Sequence, residues 1–307
     1  MADAPPSTAP QTRLFGAGPP LAALTVIGGR KLGWRDLYHS LLGASWERVI
    51  LGLLLAFLVL NALFATVYWW VGGIAHAETF LDDFFFSVQT LGTIGYGGMF
   101  PQTVASHLVV TVEAFTGMLV TAMVTGLVFA KFARPRARVL FSKVALIADR
   151  DGVPTLMFRL ANERRNHVVE ATLKVGLVRN EVTREGEHIR RVHDLLLQRH
   201  TTPVFVLTWT VMHPIVPGSP LYGQTPESLK AQSVEVVLTL TGIDETMSQT
   251  IHSRHSYIAD EIRFAARFTD ILSPGTAARP GRVVDYTHFN DSVAAPLTLT
   301  KMGVGHD

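Results

Sequence analysis

Between two long apolar stretches lies Thr93-Ile94-Gly95-Tyr96-Gly97, where glycines alternate with large side chains. Glycine reaches left-handed dihedrals that other residues adopt only with strain. The spacing therefore allows an extended backbone whose carbonyls all turn to one axis. One such strand offers too few oxygens to strip water from an ion. Four copies about a shared axis can do so, with main-chain oxygens and the Thr93 hydroxyl replacing the hydration shell of K⁺. The five residues thus imply both an ion, held by the carbonyls of Thr93, Ile94, Gly95 and Tyr96, and a stoichiometry, the homotetramer. Gly-Tyr-Gly also occurs in ordinary turns, so the flanking sequence has to decide.

From Val49 to Trp70 no residue is charged. A helix rising ~1.5 Å per residue over that length crosses a hydrocarbon core of about 30 Å. Trp46 lies at one end and Tyr68, Trp69 and Trp70 at the other, as in an interfacial aromatic belt. Asn61, polar in mid-span, is expected to face another helix. A second span runs from about Val104 to Phe132, with Glu113 its single charge between Leu108 and Ala130. Phe80 to Thr93 reads as a helix too short to cross, with Asp82 and Asp83 against its positive dipole end. Irregular backbone at membrane depth is tolerated only where protein or water surrounds it. Span, short helix, strand, span is therefore the order a re-entrant pore loop requires.

Arg30, Lys31 and Arg35 precede the first span, Lys131, Arg134, Arg136 and Arg138 follow the second, and residues 71–103 hold no Lys or Arg. That asymmetry predicts a multi-pass protein with both termini in the cytoplasm. Only 17% of the 307 residues are charged, against about 25% in soluble domains, and most of that charge lies at or after Arg134. The chain reads as a membrane part followed by a soluble part. The net charge of +2, with no basic stripe, argues against nucleic acid. The absence of cysteine excludes disulfides, thiolate nucleophiles and Cys-zinc sites. Residues 1–30, rich at the start in Pro, Ala, Thr and Ser, read as a disordered tail without a signal-peptide pattern.

Several stretches resemble prokaryotic inward-rectifier K⁺ channels of the KirBac type. They are Trp34-Arg35-Asp36-Leu37-Tyr38, Phe84–Thr93 (FFFSVQTLGT), Gly126–Arg138 (GLVFAKFARPRAR), Ser219–Leu229 (SPLYGQTPESL) and Asp285–Asn290 (DYTHFN). The match covers about residues 30 to 292. Voltage-gated K⁺ channels share the filter but not the membrane exit. Gln89 stands where relatives often carry Glu, and Gly98 where Asp or Phe commonly follows the filter. The cysteine pair of animal relatives is missing, which implies a bacterial source and an inner-membrane location.

Gly117, Thr121, Thr125 and Phe129 recur at every fourth residue of the second span and so share one helix face. They are expected to line the pathway, Gly117 as a bend and Phe129 as the ring that closes by expelling water. The alternative makes Gly117 and Gly126 packing residues and turns Phe129 to lipid. The resemblance implies that the position of Thr121 carries an acid or amide in relatives that bind Mg²⁺ or polyamines. Threonine there predicts weak rectification; Ba²⁺, Mg²⁺ and polyamines are the candidate blockers. Glu113, with Gln89, is expected to support the filter from behind, the alternative being a carboxylate that snorkels to the outer interface. Arg35, Lys131, Arg134, Arg136 and Arg138 form a basic collar. It reads either as the anionic-lipid site that the family implies or as charge that merely sets topology.

After Val139 the rhythm changes to period two. Ala171, Leu173, Val175 and Leu177 alternate with Glu170, Thr172 and Lys174, and Val234, Val236, Leu238 and Leu240 with Glu235 and Thr239. Such alternation predicts a β-sandwich; the resemblance implies an immunoglobulin-like one. Thr225-Pro226-Glu227 reads as the cap and first turn of a short helix. Histidines 188, 193, 200, 213, 252 and 255 are too scattered for a metal site. No phosphate-binding glycine loop appears, and no acid, base and nucleophile set that would make an enzyme.

The expected fold class is membrane α plus all-β: two transmembrane helices with a re-entrant pore helix and filter, then the sandwich. The expected division is a tail at 1–30, a pore domain with an interfacial slide helix at 31–138, the sandwich at 139–295 and a flexible tail at 296–307. The function read from this is a lipid-modulated K⁺ channel gated at its inner helices, with K⁺ in the filter and no organic cofactor. The alternative is a membrane-anchored sensor with a non-conducting pore and a partner-binding cytoplasmic domain.

Overall fold

The computed structural model describes residues 13, 37–133, 137–164, 166–276, 279–298 and 302. They fall into two compact units, with the division at residue 134.

The first unit is helical: α1 (Leu37–Gly43), α2 (Trp46–Val71), α3 (Phe80–Leu91) and α4 (Val104–Phe132). Each start has a local cause. Thr79 and Asp82 form a reciprocal capping box at α3, and Thr103 and Ser106 form one at α4. Gly72, with φ 67°, ends α2 by donating its N–H to the Tyr68 carbonyl at 2.7 Å. The two ends of the loop are tied by Ala75 N–H to Phe100 O and Gln102 N–H to Gly73 O, both at 2.8 Å. This brings Thr103 so close to Gly73 that a Cβ there would meet its side chain at 2.6 Å. Tyr68, Ile74 and Phe86 form the small core of the unit.

α2 and α4 are long and apolar enough to cross a membrane. Only 17% and 11% of their most apolar windows are buried within the chain. A helix from the middle of a soluble core would be covered all round; this chain leaves most of the apolar surface of these two uncovered.

The second unit is a β-sandwich. In chain order its strands are β1 (Val139–Phe141), β2 (Ala145–Arg150), β3 (Val153–Asn162), β4 (Val168–Val182), β5 (His188–Asp194), β6 (Thr201–Phe205), β7 (Thr208–Pro214), β8 (Glu235–Asp244), β9 (Gln249–Ile258), β10 (Ile262–Phe264), β11 (Ala266–Phe268), β12 (Leu272–Thr276), β13 (Arg279–Val284) and β14 (Ser292–Ala294). One five-stranded sheet has the order β1-β3-β2-β10 with β7 on β3; the other has β5-β4-β8-β9 with β6 on β4. The pairs β11–β14 and β12–β13 stand apart. The core lies between the large sheets, with Ile147, Leu156 and Phe158 from one and Leu173, Leu177, Val236 and Leu238 from the other. A short helix, α5 (Pro226–Ala231), starts at the expected Thr225 cap.

Three features depart from the simple alternation. The register of β4 on β8 shifts between Val169 and Thr172, around Glu170 at φ 51°, so Val168 and Ala171 both face inward across a bulge. Glu235, the polar member of the β8 pattern, is buried beside Arg190, at 3.4 Å. Of the segment expected to be a flexible tail, 296–307, the described residues 296–298 and 302 include three that pack instead. Leu297 lies against the core, Met302 is fully buried, and the Thr298 hydroxyl donates to Asp149 at 2.5 Å. Two apolar side chains gain more from filling the sandwich edge than they lose in freedom. Of the expected N-terminal tail only Arg13 is among the described residues; it pairs with Glu261.

Candidate ion pathway

α3 ends by folding the next residues back over its last turn. Gly92 N–H bonds the Val88 carbonyl at 3.0 Å and Thr93 N–H bonds Thr90 at 3.1 Å. The N–H groups of Ile94 and Gly95 both reach the Gln89 carbonyl, at 2.8 and 3.3 Å. Gln89 thus meets the filter strand through its backbone. From there φ is left-handed at every second residue: 53° at Thr93, 57° at Gly95 and 84° at Gly97. Glycine makes two of these easy, whereas Thr93, β-branched, is held there against its preference. Alternating hand is the backbone pattern that turns successive carbonyls to the same side, which an ordinary strand does not do. All five residues are exposed, Tyr96 at 78%.

Behind α3 lies a buried polar group on three helices. Glu113 of α4 accepts from the Tyr68 hydroxyl of α2 and contacts the Ser87 hydroxyl of α3 at 2.5 Å. Ser87 also lies 3.0 Å from Oδ1 of Asn61 on α2. All four side chains are buried. Glu113 and Asn61 stand out in the sequence as polar residues within apolar spans. Tyr68 reads there as an interfacial belt residue but is fully buried against Glu113, and Ser87 carries no signal of its own, because the partners of Ser87 and Tyr68 are 26 and 45 residues away.

Along α4 the four residues of the expected lining face divide. Thr121, Thr125 and Phe129 are exposed, Phe129 at 73%. Gly117 is buried beneath the end of α3, where a Cβ would stand 2.7 Å from the Leu91 carbonyl oxygen. Thr125 turns its hydroxyl back to the Thr121 carbonyl at 2.8 Å.

The basic collar also divides. Lys131 is buried, and its ammonium donates to the carbonyls of Leu41, Leu42 and Ala44 while lying 5.3 Å from the Trp46 ring centre. Its donors are spent on the end of α1, so it is not the open cation that the sequence suggests. Arg138 is exposed. Arg35, Arg134 and Arg136 lie outside the described residues. Among the described residues no cluster of three His, Asp or Glu could hold a metal.

Two family descriptions match the chain: "Inward rectifier potassium channel C-terminal domain" over residues 139–303, and "Ion channel" over residues 55–134. The inward rectifier potassium channel Kirbac3.1 of Paramagnetospirillum magnetotacticum is 43% identical over 87% of this chain and 92% of its own length. Inward rectifier potassium channel 18 of Homo sapiens is 30% identical over 86% of this chain, and inward rectifier potassium channel 4 of Mus musculus 30% identical over 83%. The chain spans 66% of the length of each of these two animal proteins.

Proposed function

This chain belongs to the inward-rectifier potassium channel family, and from that premise we propose a homotetramer that passes K⁺ selectively through four copies of the Thr93–Gly97 strand. Its family is one of ion channels, not enzymes. The observation that carries the reading is the left-handed φ at Thr93, Gly95 and Gly97 in residues left exposed by one chain. A ring of such strands supplies oxygens in place of water around a desolvated K⁺. Gln89 anchors the strand through its carbonyl, and Glu113 supports α3 from behind.

In this reading Thr121 and Thr125 line the inner pathway, Phe129 narrows its cytoplasmic end, and Gly117 is the contact about which α4 bends against α3. Anionic lipid headgroups act on Arg35, Arg134, Arg136 and Arg138 at the cytoplasmic face of a bacterial inner membrane, while Lys131 holds the end of α1. Both termini lie in the cytoplasm. Ba²⁺, Mg²⁺ and polyamines are blockers from the inner side, the last two weak because Thr121 carries no charge. Native mass spectrometry of the solubilised protein tests the assembly: a tetramer is expected, and a monomer that persists in lipid contradicts the reading.

A further inference from the structure

Counting hydrogens in the buried group behind α3 leaves one contact short. Asn61 Nδ2 donates to the Phe57 carbonyl at 2.7 Å. A carbonyl only accepts, so the amide orientation is fixed and Oδ1, an acceptor, faces Ser87. Three oxygen–oxygen contacts then need a hydrogen each: Tyr68 with Glu113, Ser87 with Glu113, and Ser87 with Asn61 Oδ1. The two hydroxyls bring two hydrogens. An ionised Glu113 brings none, leaving a buried acceptor pair face to face without a donor, which is costly in a site shut off from water.

We infer that Glu113 is held as a neutral carboxylic acid whose proton lies on Oε1 and is donated to Ser87. Ser87 then donates to Asn61, and Tyr68 donates to the other carboxyl oxygen. Every contact has a donor, and α2, α3 and α4 are joined in one chain of hydrogen bonds. Loss of the proton to solvent makes Oε1 an acceptor only; the Ser87 hydrogen turns to it, and the link from α3 to Asn61 of α2 is lost. Glu113 is thus a positioning residue that sets how firmly the pore helix is held, and it titrates. Its own bonds come from neutral groups. The ionisable side chain packed with it is Tyr68 on α2, on which Asp83 of α3 also acts. The inference rests on the channel reading for its consequence but not for the proton itself.

The test is infrared spectroscopy of the full-length protein in lipid vesicles at neutral pH, with wild type compared against Glu113→Gln. A protonated carboxylic C=O band present in wild type and missing from the variant is the expected result; its absence from wild type overturns the inference. Where Glu113→Gln fails to assemble, Ser87→Ala reads the same proton. The band moves to higher frequency when its acceptor is removed, and an unmoved band overturns the inference equally. In flux measurements, wild type loses K⁺ flux severalfold from neutral to alkaline pH, while the ratio for Glu113→Gln stays near one. A severalfold loss in the variant also overturns it. A wild type that passes no K⁺ at any pH counts against the channel and leaves the infrared result standing.

Discussion

The Nζ of Lys131 stands 2.6 Å from the carbonyl oxygen of Ala44, closing the corner where α1 gives way to α2. The last carbonyls of a helix lack partners of their own, and here one ammonium from the end of α4 serves three. Lys131→Met keeps the apolar stem and removes the donors. It is expected to cost about 1–3 kcal/mol and to speed hydrogen exchange across residues 40–44. Protection equal to wild type, with a lost response to anionic lipid, returns Lys131 to the lipid-binding set.

Gly117→Ala sets a methyl 2.7 Å from the Leu91 carbonyl oxygen. Neither backbone can yield cheaply, so a loss of about 1–3 kcal/mol is expected, seen as a lower melting temperature of the tetramer and impaired flux. Gly126→Ala, with nothing within 4 Å, is the comparison and is expected to melt no lower than wild type. Equal tolerance at both positions contradicts the packing account.

Phe129→Ala removes a large exposed side chain near the C-terminal end of α4. Single-channel recording is expected to show a raised open probability, since a hydrophobic constriction closes by excluding water. Unchanged closure removes Phe129 from the gate.

The sandwich should lose stability in mild acid. His213 is buried, its Nδ1 2.7 Å from the Leu196 carbonyl and its Nε2 2.8 Å from the Ser219 hydroxyl. Burial lowers its pKa below the usual 6.5. His255, stacked on Phe141 and edge-on to Tyr257, is lowered to about 4 by burial first and the charge of Arg13 second. Both folded values lie below the unfolded one, so the unfolded chain takes up protons that the folded chain refuses. The stabilisation is complete above about pH 6.5 and is lost as pH falls towards 4. His213 alone contributes a slope of at most about 1.4 kcal/mol per pH unit. Urea unfolding of the full chain between pH 7.5 and 5 measures it. A midpoint that rises on acidification contradicts the burial of these rings.

Much of this is legible in the sequence, for unequal reasons. α4 occupies the expected Val104–Phe132 and α3 begins at the expected Phe80, because threonine caps and apolar composition act locally. α2 begins earlier than its charge-free window, at Trp46, because Glu47 and Arg48 fit an exposed first turn. The bulge at Glu170 left no trace in an alternating pattern, since a single φ has no composition of its own. Glu113 was conspicuous and its partners were not. Lys131 looked like its basic neighbours in sequence, and only the carbonyls almost ninety residues earlier set it apart. Local chemistry is written in local sequence; contacts between distant helices are not.

The central claim, that backbone oxygens of the Thr93–Gly97 strand replace water around K⁺, is tested most directly by cation flux into liposomes holding the purified protein. The account predicts K⁺ uptake that Ba²⁺ abolishes and that Na⁺ does not match. Na⁺ entering as fast as K⁺ through the same protein contradicts it.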